Sequence, residues 1–314
     1  MRRLPEARRE FRPGIATPMI SVALCTFDRP ESLARALQSL CALASPPCEY
    51  EVLLIDNNSP PSTKQVVRAF EGRLPLRYLR EAQQGLSHAR NRALTEFRGQ
   101  ALFFLDDDVQ VDRGWLGAYH DALGKEPEAS YFGGRIVPAY EGGRPRWLKD
   151  ERAPLISGLV GLYDLGDETR AYRSGEMHPF GGNFGIRRLV YQRIGAFRED
   201  LGVRGRVPGR GEEAEFLNRA RSAGLMGAYV GAAKCAHWIP PTKLSWRYLF
   251  EYGVQKGIAE VRTGQQAAGS GSVLREATFA IRGAMQVLRR RGDWARICVI
   301  NMGIQRGLRM GAAL

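Results

Sequence analysis

Three short, largely apolar runs constrain what this chain can fold into: Ile20–Cys25, Val52–Ile55 and Ala101–Leu105, each followed at once by a polar cluster. Runs this short and this apolar read as strands buried on both faces, as in a sheet covered by helices. The segments between them carry helical spacing. Pro30 opens one with Leu33, Ala36, Leu37 and Leu40 on a single face, and Val66, Val67 and Phe70 mark another. The pattern also predicts a short strand over Leu74–Leu79 and a helix over Ser87–Thr95. Such alternation predicts a mostly parallel sheet with helices on both faces. Ligands of these sheets lie beyond the carboxyl ends of the strands. The clusters Thr26–Arg29, Asp56–Ser59 and Asp106–Asp108 should therefore open on one crevice.

Asp106-Asp107-Asp108 is the most specific of the three. Adjacent carboxylates at a strand end are costly unless a cation or hydrogen-bond donors neutralise them. Side-chain alternation lets Asp106 and Asp108 face one point. Hard oxygen ligands suit Mg²⁺ or Mn²⁺, which in turn hold phosphates. The same triplet also reads as an acidic turn capping the helix near Trp115.

The second half is less regular. Gly133–Pro154 is rich in Gly and Pro and reads as loop; Phe180–Ile186 is a glycine-dense approach to a short strand. Gly211–Ser222 reads as a helix with acidic residues in its first turn, where the helix dipole favours them. The segment 263–272 has the composition of a flexible linker. Beyond it, Leu274, Thr278, Ile281, Met285 and Leu288 fall at helical spacing, with eight arginines against two acidic residues from 273 to the end. A basic amphipathic tail of this kind binds an anionic membrane surface, or packs on the catalytic domain or a second subunit. These boundaries divide the chain into a basic arm (1–17), a catalytic domain (18–262, with halves 18–135 and 136–262) and a linker with C-terminal helices (263–314).

Of 314 residues, 44% are hydrophobic and 25% charged, as expected for a folded enzyme rather than a disordered chain. The net charge of +13 favours anionic partners: nucleotides, nucleic acid or a membrane surface; alternatively it serves solubility. Five widely spaced cysteines without a CxxC pattern predict reduced core thiols of a cytosolic protein. Arg2, Arg3, Arg8 and Arg9 precede no apolar stretch, so no secretory signal is expected. No apolar run reaches the length of a transmembrane helix. The expected location is cytoplasmic, or peripheral on the cytoplasmic face of the membrane.

Seven segments in order, VALCTFDRPESL, VLLIDNNS, GLSHARNRAL, FLDDDV with GWL, FGGNFGIRR, GEEAEFLNR and HWIPPTKLSWRYL, resemble glycosyltransferase family 2, enzymes of the GT-A fold. The resemblance runs from about residue 18 to residue 260. It implies a metal-dependent, inverting transfer of a sugar from a nucleoside diphosphate to a hydroxyl acceptor, which could be a glycan, a lipid-linked sugar or a small molecule. By the same resemblance Thr26, Asp28, Arg29 and Asp56 would contact the nucleoside, with Arg90 and the Asp106-Asp107 pair close by. Asp28 stands where the family more often has Asn. A carboxylate at Asp56 would accept from the N3–H of uracil, which favours a UDP-sugar.

Asp106 and Asp108 match the family's DxD metal motif, with His237 as a third ligand of Mn²⁺ or Mg²⁺. The catalytic base would come from GEEAE, Glu213 ahead of Glu212, with Glu213 where the family often carries Asp. Gly182 and Asn183 resemble the Gly-Asn step that lines the sugar and acceptor pocket. Trp147 would stack on a sugar face, or pack on the domain surface.

A sugar nucleotidyltransferase would share the sheet, but such enzymes carry a glycine-rich loop after the first strand. Cys25-Thr26-Phe27-Asp28-Arg29-Pro30 contains no glycine. A nucleic-acid-binding protein should show a basic stripe interleaved with aromatics or a known reading module. Neither is present, so no nucleic-acid partner is expected.

Overall fold

The structure is a computed structural model that describes residues 20–45, 48–205, 207–267, 271, 273–288 and 292–311. The basic arm at 1–17 lies outside the described residues, as does part of the 263–272 segment. In chain order the first half contains β1 (Ile20–Thr26), α1 (Pro30–Cys41), β2 (Tyr50–Asp56), α2 (Pro61–Arg68), β3 (Leu76–Arg80), α3 (Leu86–Glu96) and β4 (Ala101–Asp106). Then follow β5 (Val109–Val111), α4 (Trp115–Lys125), β6 (Ala129–Tyr140), α5 (Pro154–Val160), β7 (Thr169–Ala171), β8 (Asn183–Arg187) and α6 (Arg188–Ile194). The chain continues through α7 (Glu212–Ser222), β9 (Met226–Ile239), a 3₁₀ turn at Pro241–Leu244, α8 (Trp246–Arg262), α9 (Val273–Leu288) and α10 (Gly292–Met310).

The strands form one sheet in the order β3-β2-β1-β4-β8-β6-β9-β5, with β7 paired to β9. The first four are parallel, and their register brings Thr26 beside Asp56 and Cys25 beside Asp106. The polar clusters expected to share a crevice thus leave one edge of the sheet. Successive residues of each strand point to opposite faces. Val22, Leu24, Leu54 and Phe103 pack in one core with α1 and α4. Ala23, Leu53, Leu102 and Phe104 pack in another with α3 and α7.

The loop expected from Gly133 is corrected. β6 continues to Tyr140, pairing Arg135–Tyr140 in parallel with Lys234–Ile239. Glycine and proline weaken a strand read locally, but β9 supplies a full-length partner. Pro138 lies past Gly133, where pairing to β8 ends, and there a missing N–H costs little.

The C-terminal helices pack onto the rest of the chain. Ile300, Ile304 and Leu308 of α10 share a core with Leu249 and Tyr252 of α8 and with Ile156 and Val160 of α5. α8 and α10 run in parallel with their backbones touching. A Cβ added at Gly303 would sit 2.2 Å from the Phe250 carbonyl oxygen, and one at Gly307 would sit 2.0 Å from that of Val254. Only glycine permits such an approach. α9 runs back along α10: Glu276 near its start meets Arg306 and Arg309, and Gly283 lies against Cys298. Among the described residues no helix is long and apolar enough to cross a membrane.

Candidate active site

Beyond the carboxyl ends of the parallel strands lies a cleft of about 800 Å³. Thr26, Asp28, Arg29, Arg90, Asp106, Asp107, Asp108, Gly182, Glu212, Glu213 and His237 all line it, so the structure gathers most of the residues singled out by sequence. β1 and its following loop supply Thr26 to Arg29, the end of β4 and the turn after it supply the aspartates, α7 the glutamates, and β9 the histidine.

The three aspartates take separate partners. Asp107 accepts from Thr26 Oγ1 at 2.7 Å and from the Arg29 guanidinium at 3.1 Å. Burial nevertheless pushes its carboxyl up to about 6, against the pull of Arg29. Asp106 accepts from Arg90 Nη2 at 3.3 Å, and its carboxyl is also raised, chiefly by burial. Asp108 behaves oppositely. Burial raises it, but Lys243, His237 and Arg29 together hold it well below the usual carboxylate range. Lys243 Nζ donates to Asp108 Oδ2 at 2.9 Å, and His237 Nε2 lies 3.6 Å from Oδ1.

His237 is set up as an acceptor toward the cleft. Its Nδ1 meets the Val160 carbonyl oxygen at 2.9 Å; a carbonyl only accepts, so Nδ1 carries the proton. Nε2 then presents its lone pair, 3.2 Å from Lys243 Nζ. Gly161 makes room for the ring. Its φ is +69°, and a Cβ there would fall 2.6 Å from Nδ1.

Arg90 joins the aspartates to the glutamates. Its guanidinium is buried over Phe104, Phe184 and Phe197, and donates to Glu212 Oε1 at 2.7 Å as well as to Asp106. Arg90 lines the cleft as expected, and three of its five N–H donors go to Glu212, Asp106 and the Gly181 carbonyl. Glu212 is 4% exposed and committed to Arg90. Burial and the neighbouring Glu213 push its carboxyl up to about 8, against Arg90. Glu213, one position on, lines the same cleft and is only half-buried.

Three expected site residues are placed elsewhere. Asp56 is buried outside the cleft lining, its carboxylate accepting from the Ser59 backbone N–H at 2.8 Å and from the Tyr78 hydroxyl. Asn57 lines the cleft in its stead. Asn183 is wholly buried: its oxygen accepts from Trp115 and Tyr119, and its amide donates to the carbonyls of Arg135 and Ala233. That leaves no group for a sugar. Trp147 packs at the α8–α10 core with the Arg296 guanidinium 4.0 Å from its ring, in keeping with a packing role and not with sugar stacking.

Lys243 is the cleft residue that the sequence reading passed over, although it lies inside the HWIPPTKLSWRYL segment. Tyr248, Tyr252 and Lys256 of α8 also line the cleft. No group of three acidic, imidazole or thiol side chains among the described residues is gathered at one point as a ready metal cage. The convergent pair is Asp108 and His237, with Asp106 drawn toward Arg90. That pair suits a divalent cation: a carboxylate oxygen and an imidazole lone pair face a common point, and a cationic Nζ stands there.

Comparison with known proteins shows the family and the fold. The family described as Glycosyl transferase family 2 matches residues 21–195. The succinoglycan biosynthesis protein ExoM of Rhizobium meliloti is 27% identical over 242 residues, spanning 76% of this chain and 72% of ExoM. A glucosyl-dolichyl phosphate glucuronosyltransferase of Haloferax volcanii is 23% identical over 192 residues, 59% of this chain and 58% of that protein. Among solved structures, the mannosyltransferase PcManGT of Pyrobaculum calidifontis, in complex with GDP-Man and Mn²⁺, superposes with a TM-score of 0.62 at 16% identity. It covers 93% of this chain and 87% of its own. The fold is GT-A.

Proposed function

The chain belongs to glycosyltransferase family 2, and we propose that it is a cation-dependent, inverting enzyme whose donor and acceptor meet in the cleft between Asp108 and Glu213. The observation that carries this reading is that both carboxylates line one cavity, with Arg90 joining their sequence neighbours Asp106 and Glu212. Asp108 and His237 would hold Mn²⁺ or Mg²⁺, the metal seen with PcManGT being Mn²⁺. When bound, the cation stabilises negative charge on the departing nucleoside diphosphate. Arg29, half-exposed beside Asp107 and Asp108, is the protein's own cation for the phosphates. Thr26 fixes Asp107, and Asp107 in turn aims Arg29.

Glu213 removes the acceptor hydroxyl proton as that oxygen attacks the anomeric carbon from the face opposite the leaving group. Glu212, buried and hydrogen-bonded to Arg90, is less available for this role. Gly182 lies against Asp106 and leaves space for the donor sugar. With Asp56 bonded to Ser59 and Tyr78, the argument that favoured a UDP-sugar loses its residue, and UDP- and GDP-sugars stand as equal candidates. The test is release of nucleoside diphosphate from a panel of UDP- and GDP-sugars with Mn²⁺, Mg²⁺ or EDTA. At least one donor should turn over with metal and not with EDTA; equal turnover with EDTA defeats the cation's role.

The acceptor is proposed to be a hydroxyl carried on a lipid at an anionic membrane. Support comes from α9, where Leu274 and Ile281 are 80% and 62% exposed, Met285 shares their face, and Arg275 and Arg282 flank it. Apolar residues flanked by arginines suit an anionic bilayer surface. The start of α9 also adjoins the ends of α8 and α10, and Ala259, Glu260 and Thr263 at the end of α8 line the cleft. The protein should sediment with vesicles containing anionic lipid and not with neutral ones, and Leu274→Glu with Ile281→Glu should release it. Failure to sediment, with concentration-dependent dimerisation lost in the same variant, would assign the face to a second copy instead.

A further inference from the structure

Lys243 has been placed at the most charged point of the cleft without a task. Its Nζ lies 2.9 Å from Asp108 Oδ2 and 3.2 Å from His237 Nε2. These are the two groups that the proposed function assigns to the metal, and the inference rests on that reading. An ammonium has three protons and no lone pair, so toward Asp108 and His237 it acts as a cation toward two acceptors. A divalent cation uses the same carboxylate and the same lone pair. His237 Nε2 has a single lone pair, which cannot serve an ammonium and a metal together, and a metal on it beside Asp108 Oδ1, 3.6 Å away, would face the charge of the nearby ammonium.

We propose that Lys243 and the divalent cation compete for Asp108 and His237, and that the donor's diphosphate settles the competition by taking the displaced ammonium as its own partner. Lysine is suited to this exchange. Its charge sits on a flexible four-carbon stem with freely rotating donors, unlike the planar fork of arginine. Lys243 is carried on the short turn at Pro241–Leu244, between β9 and α8, and it lines the same cavity as Asp106, Gly182 and Glu213. Arg29 already reaches the same Asp108 oxygen, Oδ2, at 3.3 Å. Without an incoming anion, a divalent cation would join two positive groups around one carboxylate. With a diphosphate present, the added negative charge accepts both the metal and the released ammonium.

The consequence is reciprocal coupling. Whatever factor the nucleoside diphosphate adds to metal affinity, the metal adds to nucleotide affinity. Metal alone binds weakly because it must first displace Lys243, as a ligand selecting a minor arrangement of its site does.

The experiment is a titration of Mn²⁺ followed by the electron paramagnetic resonance signal of the free ion, on the full chain, with and without UDP or GDP. It compares the unaltered protein with Lys243→Met, which keeps the stem and removes the charge. Lys243→Arg serves as a second variant that retains the charge. Without nucleotide, Lys243→Met should bind Mn²⁺ at least tenfold more tightly than the unaltered protein, and Lys243→Arg should not. With nucleotide the advantage of Lys243→Met should shrink or reverse. Unchanged nucleotide-free affinity in Lys243→Met overturns the competition while leaving the cation reading intact, provided that the unaltered protein binds Mn²⁺ with nucleotide. Absence of Mn²⁺ binding in every protein, with or without nucleotide, overturns the cation reading itself. Unfolding of Lys243→Met would be seen in its circular dichroism, and Lys243→Gln, polar and uncharged, then replaces it with the same expected tightening.

Discussion

Asp108→Ala should abolish the cation-dependent part of donor binding and reduce turnover by at least ~10²-fold, the usual cost of losing one preorganised electrostatic stabiliser. Asp108 is the carboxylate on which the cations of the cleft converge, Lys243 at 2.9 Å and Arg29 at 3.3 Å, with His237 3.6 Å away. Those neighbours keep it ionised in spite of burial, so it offers a charged oxygen across the working pH range. Alanine removes the anionic ligand and leaves Lys243 and Arg29 facing each other. A nucleotide would still be attracted to the two cations, so residual binding is expected that no longer responds to Mn²⁺. Calorimetric titration of nucleoside diphosphate, with metal and with EDTA, measures this directly. An undiminished response to Mn²⁺ would show that the cation is held elsewhere.

Glu213→Gln should leave donor affinity close to normal while turnover falls by ~10²–10⁴-fold, the range for loss of a general base. The argument rests on the division of labour between two adjacent carboxylates. Glu212 closes a buried pair with Arg90 at 2.7 Å, and breaking such a pair strands a buried charge at a cost of about 3–5 kcal/mol. Replacing Glu212 should therefore appear chiefly as lost stability. Glu213 also lines the cleft but is only half-buried, and it is Glu212, not Glu213, that holds the hydrogen bond to Arg90. Glutamine preserves its shape and removes its basicity, so the loss should fall on kcat and not on donor KM. Full activity in Glu213→Gln would transfer the base role to another group.

Much of this site was legible because strands end where their apolar runs end. Thr26, Asp28, Arg29 and the aspartates follow from the place where β1 and β4 stop, and parallel register carries them to one edge. The glutamates were legible as an acidic helix start. What sequence could not supply was the direction each side chain takes after leaving its strand. Asp56 looks like a ligand-facing carboxylate, yet Ser59 and Tyr78 fold over it, the latter from a neighbouring strand. Asn183 follows a glycine in the pattern of a sugar-binding step, but Trp115 and Tyr119 of α4 reach its oxygen from 64 to 68 positions away. Gly133–Tyr140 looked like loop because the strand that stabilises it, β9, lies some 90 residues downstream. Lys243 carried no signal beyond its segment, since one lysine after two prolines is an ordinary surface pattern. Its meaning comes from β9 and the turn after it, which bring it back onto Asp108.

The central claim is that Asp108 and His237 fix a divalent cation against the donor diphosphate, across the cleft from Glu213. The most direct measurement is anomalous scattering at the manganese edge from crystals grown with Mn²⁺ and a nucleoside diphosphate. The account predicts a peak bonded to the Asp108 carboxylate, His237 Nε2 and phosphate oxygens, with Lys243 Nζ moved off both protein ligands. A bound diphosphate without a manganese peak at these residues, or with Lys243 still seated on Asp108 and His237, would contradict it.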